Sequence, residues 1–189
     1  MNTTVRGGVA GDAEAIDSLG RKSFSWAFGA LFRDDVLARY LDGTYSAGKI
    51  AGSLAKAANL YFVAEAEGCL QGFLKLKAGG TEAWQVQKLY VDPDLIQSGI
   101  GQRLMQAGEA AMKTGNAPSA WLVVYTGNAR AIRFYRGLGY TETGVESHDF
   151  EDIRIEFRRM SKPLVPPTGP FPDADPDSTQ PDTPLRSFP

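Results

Sequence analysis

The stretch KLYVDPDLIQSGIGQRLM, residues 88–105, limits the possible folds more than any other part of this chain. It reads as the end of a strand, a turn built on Pro93, a short glycine loop and the start of a helix. Gly99 and Gly101 let the backbone come close to a ligand and let N–H groups converge on it. The helix that follows points its positive end at the same place. Such a unit is an anion site, most naturally for a diphosphate. Two known phosphate loops do not fit. The dinucleotide fingerprint needs a third glycine where Leu104 stands and an acidic residue about 20 positions on, yet residues 116–127 hold no Asp or Glu. The Gly-Lys-Ser/Thr of the P-loop is absent.

The strand feeding this loop, residues 84–91, has an irregular pattern. Trp84 and Val86 share one parity, Leu89 and Val91 the other. A period of two cannot place all four on one face unless an extra residue is inserted. A β-bulge near Gln87 and Lys88 is therefore expected, leaving a backbone N–H outside the ladder. The alternative is a strand buried on both faces.

Elsewhere the pattern alternates strands and helices. Residues 4–9 read as a first strand. Asp12 is a plausible N-cap for a helix whose inner face carries Ala15, Ile16 and Leu19. Residues 24–61 read as helical pieces rich in aromatics (Phe24, Trp26, Phe28, Phe32, Tyr40, Tyr45). Residues 60–66 and 70–77 are strands joined by a turn at Glu67 and Gly68. Residues 99–113 form a helix with Ile100, Leu104, Ala107, Ala111 and Met112 on one stripe. Residues 120–125 form a buried strand. Residues 128–138 form a helix capped by Asn128 and ending near Gly137 or Gly139. Residues 140–147 and 153–160 close as an antiparallel pair. This order gives a mixed α+β fold with a six- to seven-stranded mixed sheet and helices on both faces. Beyond residue 164 the character changes. Apart from Pro93 and Pro118, all eleven prolines lie from Pro163 onward. The expected division is a folded domain at 1–164 and a Pro-rich, disordered or extended tail at 165–189, either a spacer or a partner-binding segment.

Composition removes several classes. Net charge is −2 with 43% hydrophobic residues, so a dedicated nucleic-acid binder is not expected. Cys69 is the only cysteine and His148 the only histidine, which leaves no disulfide framework and little material for a metal cage. No apolar run approaches the roughly 20 residues of a membrane span. No secretory signal is visible, so the expected compartment is the cytoplasm. Cys69 reads as a core residue rather than a nucleophile.

A second segment, WLVVYTGNARAIRFYRGLGY, joins the first. Together they resemble the GNAT N-acetyltransferase superfamily: the glycine loop resembles its acetyl-CoA motif Q/R-x-x-G-x-G/A, and the second segment its N-x-x-A-x-x-F/L-Y-x-x-x-G-F/Y motif. In this spacing the family's Gln or Arg falls on Ile96, with Gln97 beside it. The resemblance implies acetyl-CoA as co-substrate and no metal. It implies pantetheine pairing along Leu89, Tyr90 and Val91, and a diphosphate held by Gln97, Ser98, Gly99, Ile100, Gly101 and Gln102. It also implies cofactor contacts from Asn128, Ala131, Phe134 and Tyr135, with Tyr135 as general acid. An unpaired N–H near Leu89 suits the developing oxyanion. A phenol of pKa about 10 can protonate a thiolate of pKa about 8.5 at little cost.

The base is less defined. Many relatives carry a Glu about where Gln87 stands, and Gln87 cannot accept a proton. Glu82, Asp92, Glu151 and His148 are the remaining candidates. Arg130, Arg133 and Arg136 recur every third residue, either as a solvated basic face or with one of them on a phosphate of CoA. The order WLVVY, Asn128, AIRFY, GLGY and MSKPL, with YLDGTYS at 40–46, resembles the bacterial polyamine acetyltransferase branch. That implies a small amine acceptor, with no nucleic-acid or membrane partner. Homodimerisation, a protein N-terminal or lysine acceptor, and a non-catalytic acetyl-CoA sensor stay open.

Overall fold

The computed structural model describes residues 3–80, 82–150 and 153–164. The tail at 165–189 therefore lies outside the described residues. Seven strands form one sheet in the order β1-β2-β3-β4-β5-β7-β6: β1 (Thr4–Gly7), β2 (Asn59–Ala66), β3 (Cys69–Lys77), β4 (Trp84–Val91), β5 (Ser119–Tyr125), β6 (Thr141–Phe150) and β7 (Ile153–Pro163). All neighbours pair antiparallel except β4 and β5. Helices α1 (Ala13–Phe28), α2 (Asp34–Thr44) and α3 (Ala47–Leu54) cover one face, and α4 (Ile100–Thr114) and α5 (Ala129–Gly137) the other. The mixed α+β architecture is the one expected.

Two cores follow from the two faces. Beneath α4 and α5, Leu74, Leu76, Trp84, Val86, Leu104, Met112, Leu122 and Met160 form one cluster. Beneath α1–α3, Ile16, Phe24, Tyr45, Val63, Phe73 and Ile155 form the other. Thus β3 is buried on both faces, with Phe73 facing one core and Leu74 the other. Gly72 permits α4 to lie close on the sheet. A Cβ there would meet the Tyr90 carbonyl oxygen at 2.9 Å and the side chains of Ile100 and Leu104 at 3.1 Å.

The bulge falls where the parity requires it. Lys75 faces Lys88 and Leu76 faces Val86, so Gln87 is the extra residue. It brings Trp84, Val86, Leu89 and Val91 all to the α4 side and turns Tyr90 to the α1 side.

Some local expectations need correction. Strand β1 ends at Gly7 rather than residue 9. Asp12 stands at the N-cap position of α1 as expected, but its side chain makes no capping hydrogen bond to the helix. Its carboxylate takes two hydrogen bonds from Arg6 at 2.8 Å and one from the Val9 amide at 2.8 Å, because the guanidinium, tied also to Glu65, is the stronger partner. Ala13, not Ala15, joins Ile16 and Leu19 in the core. On α4, Met105 and Gly108 are buried, while Ala107 and Ala111 sit at the margin. Cys69 opens β3 at its turn end and is exposed rather than in the core.

Candidate active site

Strands β4 and β5 pair only at Trp84 with Ala120 and Gln85 with Trp121. Beyond Gln85 they part, because the bulge at Gln87 bends β4 while β5 stays paired to β7 along its whole length. The opening between them is part of a cavity of about 730 Å³. The direction of the β4 backbone groups follows from the ladder. The Asp92 amide donates to the Gln71 carbonyl oxygen at 2.8 Å. Opposed residues in an antiparallel ladder alternate between bonded and non-bonded pairs. Val91, opposite Gly72, and Leu89, opposite Leu74, are thus non-bonded pairs. Their N–H and C=O groups turn away from β3 toward the gap, where the Ser23 hydroxyl reaches the Val91 carbonyl oxygen at 3.4 Å.

The glycine loop closes one end of the cavity. Gln97 and Gly99 both take the left-handed backbone conformation, φ +70° and +83°. For Gly99 this is free; for Gln97 it is an uncommon state held by its surroundings. Gly99 is the N-cap of α4, and no side chain caps the helix. The first-turn amides are therefore left for a ligand, and the helix dipole favours an anion there. The turn before the loop is fixed from α1. The Lys22 ammonium lies 2.7 Å from both Asp92 Oδ1 and Asp94 Oδ2. Lys22 carries no local signal that could have found it, since its partners lie 70 residues away.

Helix α5 supplies the opposite wall. Asn128 caps it as expected, its side-chain oxygen accepting from the Ala131 amide at 3.0 Å. The Tyr135 ring packs edge-on to Phe134 and Tyr140. Its hydroxyl makes no hydrogen bond to any described residue. Burial, with Tyr90 close by, pushes the phenol well above its ordinary value, so it is held protonated. The three arginines do not act as one face. Arg130 and Arg133 line the cavity, with Arg130 stacked on Trp26 at 4.8 Å, whereas Arg136 pairs with Glu142 on β6. All the residues assigned to cofactor contact reach this one cavity: Leu89, Tyr90, Val91, Gln97, Ser98, Gly99, Ile100, Gly101, Gln102, Asn128, Ala131, Phe134 and Tyr135. Ile96 lines it as well.

The base candidates are not brought there. Glu82 sits in the turn before β4, and neither it nor His148, which stands edge-on to Phe157, lines the cavity. Burial opposes ionisation of Asp92, but the Lys22 ammonium and the Asp94 amide outweigh it and hold the carboxyl below its usual range. Asp92 is thus a committed ion-pair partner. Glu151 lies outside the described residues. Among the described residues no carboxylate lines the cavity; its charged side chains are Lys88, Arg130 and Arg133. No cluster of His, Cys, Asp or Glu suited to a metal occurs among the described residues, and none of their helices is long and apolar enough to cross a membrane.

Known proteins share this fold. The solved PaiA N-acetyltransferase of Thermoplasma acidophilum, in complex with coenzyme A, superposes with a TM-score of 0.75 at 22% identity, over 86% of this chain and 99% of that one. The ribosomal-protein-S18-alanine N-acetyltransferase of Escherichia coli gives 0.69 at 20% identity, over 90% and 100%. In sequence, a spermidine N(1)-acetyltransferase of Thermoplasma acidophilum is 24% identical over 143 residues, 74% of this chain and 88% of its own. The model of the acetyltransferase (GNAT) family matches residues 22–140, a span that runs from the middle of α1 through the glycine loop to the end of the α5 motif. With the splayed strands, the uncapped α4 and the Asn128-capped α5 all inside or beside that span, the chain belongs to the GNAT family of N-acetyltransferases.

Proposed function

We propose that this protein moves acetyl from acetyl-CoA to a small primary amine by direct attack, without an acetyl-enzyme. The observation that carries the reading is the meeting of two unsatisfied backbone surfaces in one cavity: the uncapped start of α4 and the free edge of β4. The site fits the co-substrate. A diphosphate at the amides of Gly99, Ile100, Gly101 and Gln102 would satisfy the α4 terminus, with Gln97, Ser98 and the guanidinium of Arg130 or Arg133 beside it. A peptide-like pantetheine arm would complete the ladder that β5 leaves open along Leu89, Tyr90 and Val91. When bound, the co-substrate supplies an activated acyl group. The Leu89 N–H, aimed into the gap, stabilises negative charge building on the acyl oxygen. Tyr135, held protonated, gives its proton to the departing sulfur. Asn128, Ala131 and Phe134 shape the wall beside it. Cys69, exposed and outside the cavity, offers no nucleophile, which supports direct transfer.

The relative named for spermidine makes a polyamine the first acceptor to try. The domain that does this work is 1–164, with 165–189 outside the chemistry. Calorimetry with CoA and acetyl-CoA, followed by thiol release over an amine panel, tests the reading. Absence of any heat of CoA binding removes it. A non-catalytic acetyl-CoA sensor is favoured by one observation, the lack of a carboxylate among the described lining residues. Binding without thiol release for any amine would establish that instead.

A further inference from the structure

One part of the cavity wall is a cluster of rings. Phe24 and Phe28 of α1, Phe32, Phe150 at the end of β6, Phe157 of β7 and Tyr125 of β5 all belong to it. Each touches the next around a closed circuit. Centroid separations are 4.7 Å for Phe24–Phe28, 5.8 Å for Phe28–Tyr125, 6.3 Å for Tyr125–Phe157, 6.5 Å for Phe157–Phe150, 5.7 Å for Phe150–Phe32 and 6.0 Å for Phe32–Phe24. Beside this belt stands one cation, Lys88. Tyr45 bridges them: its ring lies 6.4 Å from Phe24 and 4.1 Å from the Lys88 ammonium. The ammonium meets no carboxylate among the described residues, yet it lines the cavity.

Resting on the acetyl-transfer reading above, we propose that the acceptor is a small amine with an apolar, ring-sized body and one carboxylate, the body lying in the aromatic belt and the carboxylate on Lys88. A polycation is the wrong complement. Each of its ammonium groups would enter a space whose described charged side chains are all cationic. Ring faces offer an ammonium only about 0.5–2 kcal/mol, and Lys88 already holds the face of Tyr45. A carboxylate instead gives the half-buried ammonium its missing partner, and the rings bury an apolar body without leaving polar groups unpaired. Burial, with Lys75 nearby, pushes the Lys88 ammonium down to about 8, so it stays charged at neutral pH while paying for its desolvation. This departs from the polyamine suggested by the spermidine-named relative, and it makes Lys88 a specificity residue.

The test compares matched pairs under saturating acetyl-CoA: phenylalanine with phenethylamine, tryptophan with tryptamine, and 4-(aminomethyl)benzoate with benzylamine, with spermidine alongside. The expected result is that each carboxylated member exceeds its twin by about tenfold or more in kcat/KM, the worth of one charge-assisted hydrogen bond, and exceeds spermidine. In Lys88→Met the ratio within each pair falls to about one, and Lys88→Arg restores it in part; retained CoA binding by calorimetry reports that both variants are folded. Equal rates within every pair, faster turnover of spermidine, or no turnover of any carboxylated acceptor while CoA still binds overturns the proposal and leaves acetyl transfer standing. Loss of CoA binding in the parent protein is the separate result that removes the transfer reading itself.

Discussion

Replacing Tyr135 with Phe removes one oxygen from the proposed site and little else. The ring contacts to Phe134 and Tyr140 remain, and the hydroxyl makes no hydrogen bond to a described residue, so no partner is orphaned. The stability change is expected to stay below about 1 kcal/mol, a melting shift of a few degrees at most in a domain of this size. The chemical step is different. Without the phenol, sulfur must leave as a bare thiolate. Loss of a positioned acid costs about 10²–10⁴-fold in rate, or roughly 3–5 kcal/mol of transition-state stabilisation. The assay is steady-state thiol release for kcat, with CoA affinity from calorimetry on the same preparation. The expected pattern is a kcat at least about a hundredfold lower with CoA affinity unchanged, since the role proposed for the hydroxyl is at the departing sulfur and not at the diphosphate. Truncation to Ala cannot replace Phe here, because it also empties a buried ring position. A variant within threefold of the parent would refute the assignment of Tyr135 as the acid and point to a water-borne proton.

Three further outcomes follow from the frame around the site. Gly72→Ala drives a Cβ against the Tyr90 carbonyl and two α4 side chains; it should cost about 1–3 kcal/mol in urea unfolding and weaken CoA binding by shifting α4, and parent-like stability with parent-like affinity would show the close approach to be slack. Deleting Gln87 removes the bulge yet leaves Trp84, Val86, Leu89 and Val91 in plain alternation on the α4 side; the domain should keep a cooperative unfolding transition while β4 runs on beside β5 and CoA binding is lost in calorimetry, and parent-like affinity would show the bulge to be dispensable. Acid should weaken the fold through Asp12, whose carboxyl the Arg6 hydrogen bonds, opposed by burial, hold below its ordinary value; the stability it adds is present above the unfolded pKa of about 4 and is lost as pH falls through the folded value, so the curve for Asp12→Asn should start lower at neutral pH and fall less between pH 5 and 2.

The fold was legible where a local rule had one solution. The parity of Trp84, Val86, Leu89 and Val91 admits one inserted residue, and Gln87 is that residue. Asn128 before an apolar helix has one common use, and the Ala131 amide finds it. Asp12 misled because a competing partner, Arg6, sits six residues back on β1, and cap rules weigh only the residues that follow. Cys69 misled because a short apolar residue at a strand end reads like one in the middle. Most of the proposed acceptor site was illegible for a stronger reason. The aromatics at 24–45 were visible as a group, but a belt exists only once Tyr125, Phe150 and Phe157 arrive from three other strands. Lys88 looked like an ordinary strand lysine until Tyr45 lay beneath it.

The bulge ties the core to the chemistry. Its first effect is on packing, since it keeps β4 apolar toward α4 on both sides of Gln87. Its second is on pairing. The β4–β5 ladder stops at Gln85, two residues before the extra one. Bending there turns β4 off its neighbour and leaves the Leu89 and Val91 edge open, where a regular strand would have bonded on to β5. The same insertion shifts the face of the following residues, which sends Lys88 and Tyr90 to the α1 side, toward the rings. A regular β4 that kept Gln87 would run on beside its neighbours, tie the Leu89 N–H into a ladder and point position 88 at α4. Removing Gln87 itself would leave Lys88 on the α1 side, opposite in parity to Leu89, but would let β4 run on beside β5; CoA binding should therefore be lost while the chain stays folded and Lys88 keeps its place over Tyr45.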